Sequence, residues 1–354
     1  MPALDRYDRT YGALLGLAYG DAIGFPALFH RTHNFPERRR EFLWRTNRDS
    51  ARQRVIRLCL PFTHRLDPKD LEPSPTDDTE YALFTAGALL SAQSEPDADT
   101  FVNAWRTTIL PDADTVLMGF SERAALDNLR RGLLPPATGN DNAQHYDDSA
   151  CCRAVAVGLF ASGEPDRAAA LAALDAQITN AEDGIYAAQA VAAAVALLSS
   201  GASLDQALAA ARAHFPPDSW IAHGDRTAQA CAAEASGPQD LLLLLSTRLI
   251  NTVYSYGNAA PETVPAAFVI AEMCGGDLQQ AVSLANAIPK AADSLPALVG
   301  ALCGAIQGAG AVSPLWQAKL NECRGLCLPA LAGVCLDETA ARLAQVAALP
   351  LGAE

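Results

Sequence analysis

Two adjacent carboxylates flanked by hydroxyls, in Pro75-Thr76-Asp77-Asp78-Thr79-Glu80, come nearest of any stretch in this chain to a set of residues that could do chemistry. They stand at the head of an apolar run, Asp78 to Ala92, that reads as a helix. One use for them is local: Asp or Thr caps the helix, and Glu80 favours its positive end. The other use is ligation. Magnesium takes oxygen donors and keeps several waters, so two carboxylates and a hydroxyl are a sufficient protein contribution. Two neighbouring anions are also better tolerated with a cation between them. The residues themselves leave both uses open.

A second acidic pair, Asp147-Asp148, lies between Tyr146 and Ser149, where a polar loop from Pro135 to Asp148 gives way to an apolar helix, Ser149–Ala161. These carboxylates either cap that helix or hydrogen-bond sugar hydroxyls and act as a general base. A further loop, Thr179 to Gly184, precedes an alanine-rich helix, Ile185–Leu198. Asn180 in this loop can hydrogen-bond a substrate but cannot shuttle protons, and Asp183 can cap the helix it opens. Trp220 and Tyr256 read either as core aromatics or as stacking surfaces for a base.

Helices must position these groups. Half of the residues are hydrophobic, alanine dominates, and glycine and proline fall mostly between apolar blocks. Alanine is the best helix former and a poor strand residue. Further helices are expected at Tyr11–Ile23, Asp97–Ile109, Asp114–Leu133, Ser203–His214, Asp240–Tyr254, Thr263–Met273, Leu278–Ala287 and Ser294–Gly308, with Gly201 and Gly275-Gly276 as stops. No stretch alternates like a strand and no linker divides the chain. The expected fold is therefore all-α, one orthogonally packed multi-helix domain over residues 1–354, with a long charged insert at about 29–75 and a loose C-terminal tail.

A net charge of −14 disfavours binding to a phosphate backbone. The basic run Arg38-Arg39-Arg40 with Arg45, Arg48, Arg52 and Arg54 reads as a solvated segment. The nine cysteines are odd in number and lack metal spacing; Cys323 and Cys327 are four apart on an expected helix. Buried thiols in a reducing cytoplasm account for them better than zinc or disulfides. Met1 to Arg9 is polar and the apolar stretch after it holds Asp21, unlike a signal peptide, and Leu241 to Leu245 is too short to span a bilayer. The expectation is a cytoplasmic protein with no membrane and no nucleic-acid partner.

Five stretches, in order, resemble the ADP-ribosylglycohydrolases: Gly12-Ala13-Leu14-Leu15-Gly16-Leu17-Ala18-Tyr19-Gly20-Asp21-Ala22-Ile23-Gly24 the opening helix, Thr76-Asp77-Asp78-Thr79 the first metal motif, and Ser149-Ala150-Cys151-Cys152-Arg153-Ala154 the central motif. Glu262-Thr263-Val264-Pro265-Ala266-Ala267 is similar to the segment before the last metal motif, and Asp293-Ser294 followed by Gly300-Ala301 to that motif's close. The resemblance implies a magnesium site in a helical bundle, with Thr76, Asp77, Asp78, Asp293 and Ser294 as ligands. It implies a substrate cleft lined by Tyr146, Asp147, Ser149, Asn180 and Asp183, with Asp77, Asp78 and Asp148 as the working carboxylates. The implied reaction is hydrolysis at the anomeric carbon of an ADP-ribosylated protein side chain or a small ribosyl metabolite. Its oxocarbenium-like state is stabilised by carboxylates, and a metal-bound water supplies the attack.

Departures from the family pattern matter as well. The closing motif usually carries two aspartates, and Ala291 stands at the first, with Lys290 beside it, which points to one cation or to one tight and one weak. A glutamate that some members place after the opening helix falls at Leu28. Asp147-Asp148 replaces a common asparagine-glycine pair, and Asn180 stands where a histidine is common. Ala291 and Leu28 motivate a rival reading, a non-catalytic ADP-ribose-binding module. Asp77, Asp78 and Asp293 argue against it, because three buried carboxylates without a cation would be costly.

Overall fold

The computed structural model describes residues 4–33, 73–250, 258–288, 291 and 294–346, with the side chains of the first helix described as far as residue 24. They form sixteen α-helices: α1 Arg6–His33, α2 Asp77–Ser91, α3 Ala98–Ala104, α4 Phe120–Arg130, α5 Ala137–Asn140, α6 Ser149–Phe160, α7 Pro165–Ala176, α8 Asp183–Ser200, α9 Leu204–Arg212, α10 Trp220–Glu234, α11 Pro238–Arg248, α12 Ala260–Met273, α13 Leu278–Asn286, α14 Ser294–Gln307, α15 Pro314–Leu320 and α16 Leu336–Val346. Among the described residues no strand forms, and the all-α expectation holds.

Glycines four apart set the closest helix contact. Gly12, Gly16 and Gly20 share one face of α1, since i and i+4 stack on a helix, and they meet Gly304, Gly300 and Pro296 of α14. A β-carbon at Gly16 would overlap the carbonyl oxygen of Gly300, and one at Gly20 would overlap that of Pro296. The two helices therefore touch backbone to backbone, over more residues than any other pair. The seam is closed at one end by Arg9, whose guanidinium donates to the carbonyl of Ala305 at 3.2 Å.

Alanine does the same at lower cost around α8, whose Ala187, Ala188, Ala190 and Ala192 to Ala194 are buried against α6, α7 and α9. α8 is long and apolar enough to cross a bilayer, but 67% of it is buried inside the fold, as in a core helix. α2 packs on α6, and α10 on α12, with Gly224 lying against the Pro261 carbonyl.

Several elements differ from expectation. The helix expected at Asp114–Leu133 is only Phe120–Arg130, because residues 110–116 turn sharply and Arg123 donates to the carbonyl of Ala113 at 2.7 Å. Asp97–Ile109 is a capped α-helix that widens into a π-helical turn, Trp105–Ile109. Cys323 and Cys327 lie on no helix; they sit in an irregular loop between α15 and α16, held by an antiparallel bridge from Glu322 to Cys335. α5, α7, α10, α15 and α16 have no counterpart among the expected helices. Every described cysteine is a free thiol.

The seam yields a paired test. Gly16→Ala must push α1 from α14 and should destabilise the protein by at least about 1–3 kcal/mol, the usual cost of overpacking. Gly87→Ala, in an exposed helical turn with nothing within 4 Å of a new β-carbon, should stabilise it by up to about 1 kcal/mol. Urea denaturation of the two variants checks this; equal midpoints would refute the seam.

Candidate active site

The head of α2 is organised from outside its own sequence. Thr76 is its N-cap residue, yet the Thr76 side chain makes no capping bond. Asp21, one residue beyond the last seam glycine, does that work. Its carboxylate accepts from the backbone amides of Thr76 at 2.8 Å and Thr79 at 3.1 Å, and from the Thr79 hydroxyl at 2.5 Å. The Thr76 hydroxyl also donates to Asp21 and lies 3.3 Å from Asp77 Oδ1. Burial pushes the Asp21 carboxyl up to about 6, against the pull of those four donors. Glu80 lies in the first turn of its own helix, as expected, and also reaches outside it. Its buried carboxylate accepts from the amides of Leu326, Cys327 and Leu328 at 2.7–2.9 Å, tying the loop before α16 to α2.

The turn ahead of α6 is a second preorganised unit. Asp148 occupies the N-cap position without capping; Asp147 Oδ1 instead accepts from the Ser149 amide at 3.2 Å. The Asn180 amide nitrogen donates to the carbonyls of His145 at 3.0 Å and Asp147 at 2.9 Å and to Asp147 Oδ1 at 3.1 Å. Its oxygen accepts from the hydroxyls of Ser149 at 3.2 Å and Thr179 at 2.5 Å. Asn180 thus serves the turn in this structure, every polar atom occupied by protein. On the far side the Asp148 amide donates to the Asn258 carbonyl at 3.0 Å and the Ala260 amide to that of Tyr146 at 3.0 Å, fixing the turn to the start of α12.

Three helix heads meet here. The Ser294 hydroxyl, at the start of α14, donates to Asp148 Oδ1 at 3.2 Å. Cys152, one turn into α6, gives its thiol to Asp78, and the charges of Asp78 and Asp148 both act on it. Burial first, then those carboxylates, hold the thiols of Cys151 and Cys152 well above their ordinary range, so neither is a thiolate nucleophile. The structure therefore brings Thr76, Asp77, Asp78, Asp148, Ser149 and Ser294 to one region. Asp293, Lys290 and Tyr256 lie outside the described residues, as do residues 34–72 with Glu37, Glu41, Asp67 and Asp70, and the side chain of Leu28. Ala291 presents a buried methyl. Among the described residues no three His, Cys, Asp or Glu side chains close around one point, so the described donors there are carboxylates and hydroxyls in company.

At the rim, the Tyr146 and Trp220 rings lie 5.6 Å apart, tilted by 51°. Trp220 is 39% exposed and so no core residue. Asp183 caps not its own helix but α10, accepting from the Ile221 amide at 2.8 Å. That bond fixes Trp220 beside the turn.

Behind the turn sits a fully buried arginine. Arg153 donates to Asp175 at 2.7 Å and to the Thr179 hydroxyl at 2.8 Å, and lies over the Trp105 ring. Glu122, at the start of α4, is 4.0 Å from it. Asp21 and Glu122 are the residues a reading of the sequence passes over. Asp21 carries a signal, a lone carboxylate in an apolar helix stripe. Glu122 carries none.

A chain of 332 matched residues in the uncharacterized protein YegU of Escherichia coli (strain K12) is 26% identical, covering 89% of this chain and 92% of that protein. A solved structure named an ADP-ribosylglycohydrolase-related protein complex shares the fold, with a TM-score of 0.61 and 23% identity over 97% of this chain and 99% of the other. The profile of one family, ADP-ribosylglycohydrolase, matches residues 2–350, and with so nearly complete a match the chain belongs to the ADP-ribosylglycohydrolase family.

Proposed function

We propose that this protein is a magnesium-dependent hydrolase that cleaves the bond from ribose to its leaving group, in an ADP-ribosylated protein side chain or a related ADP-ribose or nucleoside metabolite. The observation that carries this reading is the convergence of three helix heads, made explicit by the 3.2 Å contact of Ser294 with Asp148 and the Cys152 thiol on Asp78. The donors present are hard oxygens, the chemistry magnesium selects. Thr76, Asp77, Asp78 and Ser294, joined by Asp293, would hold the ion. When bound, magnesium orients ribose hydroxyls and makes a coordinated water more acidic.

The remaining work falls to the chain itself. Asp148 is buried and oriented by Ser294, as a general base must be. Asp147, Ser149 and Asn180 hold its turn in register, and Asp21 holds Asp77 and Asp78 through Thr76 and Thr79. Tyr146 and Trp220 offer an aromatic face on which a base stacks. The free thiols fit a reducing cytoplasm as the place of action.

Ribose release from a panel of N-ribosides, with and without magnesium, tests the reading. Chelation should abolish release and magnesium should restore it. Asp78→Asn should lose more activity than Asp21→Asn, for which a positioning role predicts a loss of about 10–100-fold. Thermal stabilisation by ADP-ribose with no turnover on any substrate would instead leave a binding module. For the rim, Trp220→Ala should raise KM roughly tenfold for substrates carrying a base, since one stack is worth about 1–3 kcal/mol. An unchanged KM would remove Trp220 from the cleft.

A further inference from the structure

Four charged groups run in a line from the core to the candidate site: Asp175, Arg153, Glu122 and Asp147. All are buried, none more than 5% exposed. Arg153 is bonded to Asp175 at 2.7 Å and stands farther from Glu122, at 4.0 Å. Glu122 in turn faces Asp147, and Tyr81 faces it from α2. Asp147 is bonded to Ser121, Ser149 and Asn180, neutral donors, with the Cys151 thiol nearby on α6. Asp175 and Glu122 thus share one guanidinium, while Asp147 has none within ion-pair distance among the described residues. Glu122 Oε2 is buried with no hydrogen-bond partner, a position far less costly for a neutral carboxyl than for a charged one.

We propose that Glu122 and Asp147 carry one proton between them, and that Glu122 is thereby a positioning residue for the turn Asp147–Ser149. With one proton the two acids can occupy one buried space, and the Ser121–Ser149 hydroxyl contact of 2.9 Å ties α4 to the turn. With none, like charges in a buried space drive α4 and the turn apart, and Asp148 and Ser149 move with them. Burial and the neighbouring Asp147 push Glu122 up to about 7, against the pull of Arg153, and burial raises Asp147 as well. Coupled acids of this kind titrate as a pair. The link from turn to catalysis rests on the function proposed above; the shared proton does not.

The sign follows from linkage. The folded chain keeps a proton that the unfolded chain releases near the ordinary glutamate value. Stability therefore falls as pH rises from there to about 7 and levels off above. Melting of the full chain from about pH 5 to about pH 8 should show the wild-type Tm falling more steeply than that of Glu122→Gln. Asp147→Asn should flatten the curve similarly, and the double variant should flatten it no further, since one proton is lost only once. Parallel curves for wild type and Glu122→Gln, or flattening that adds across the two variants, would overturn the proposal. ADP-ribose affinity measured over the same range should weaken with rising pH in the wild type and stay level in Glu122→Gln; a decline shared by both would overturn the positioning role. Absence of any ADP-ribose binding to the wild type would count against the hydrolase reading, while the melting curves still decide the proton.

Discussion

The approach of α1 to α14 at backbone distance is the constraint on which the site depends. The seam runs from Gly12 on Gly304 to Gly20 on Pro296, and the next residue on α1 is Asp21. On α14, Ser294 lies two residues before Pro296. The end of one seam therefore carries both the acid that shapes the head of α2 and the hydroxyl that meets Asp148. Larger side chains in the seam would separate these two anchors by the width of a methyl layer, and the donors of α2 and α6 would no longer share a region. Close packing here therefore positions the site as well as stabilising the fold.

A second constraint follows from burying so much negative charge. Asp21, Asp78, Glu80, Glu122, Asp147, Asp148 and Asp175 are all below 9% exposed. Each solves the desolvation problem differently. Glu80 takes three backbone amides, Asp175 takes Arg153, and Asp21 takes two hydroxyls and two amides. The heads of α2, α6 and α14 also turn their positive ends toward this region, where anions are favoured. Asp148 takes the Ser294 hydroxyl, and Asp78 the Cys152 thiol.

Much of this was legible in the sequence, and the failures have physical causes. The all-α class followed from alanine content and the absence of alternation, and the Thr76–Glu80 stretch announced itself by two adjacent acids. Its capping alternative fails in a way no local pattern reveals, because the cap comes from Asp21, 55 residues earlier. Asp183 is the mirror case, a residue at the head of one helix that caps another. Cys323 and Cys327 have helical spacing, yet the carboxylate of Glu80 fixes their loop by tertiary contact. Glu122 was hidden inside a helix expected to start at Asp114; only with the true start at Phe120 does it fall in the first turn, facing the site.

Asn180 shows how such a site divides labour. A histidine in its place would bring a proton to the turn; an amide brings two donors and an acceptor whose state no pH near neutrality alters. With Asn180 fixed, the titration near the turn passes to Glu122 and Asp147, one shell further back and away from solvent. A carboxylate pair is suited to this because its repulsion acts at short range in a medium that screens little. Arg153, bonded to Asp175 and 4.0 Å from Glu122, sets how strongly the pair resists ionising without quenching it. Moved closer, it would favour the ionised Glu122 and remove the reason for the pair to hold a proton.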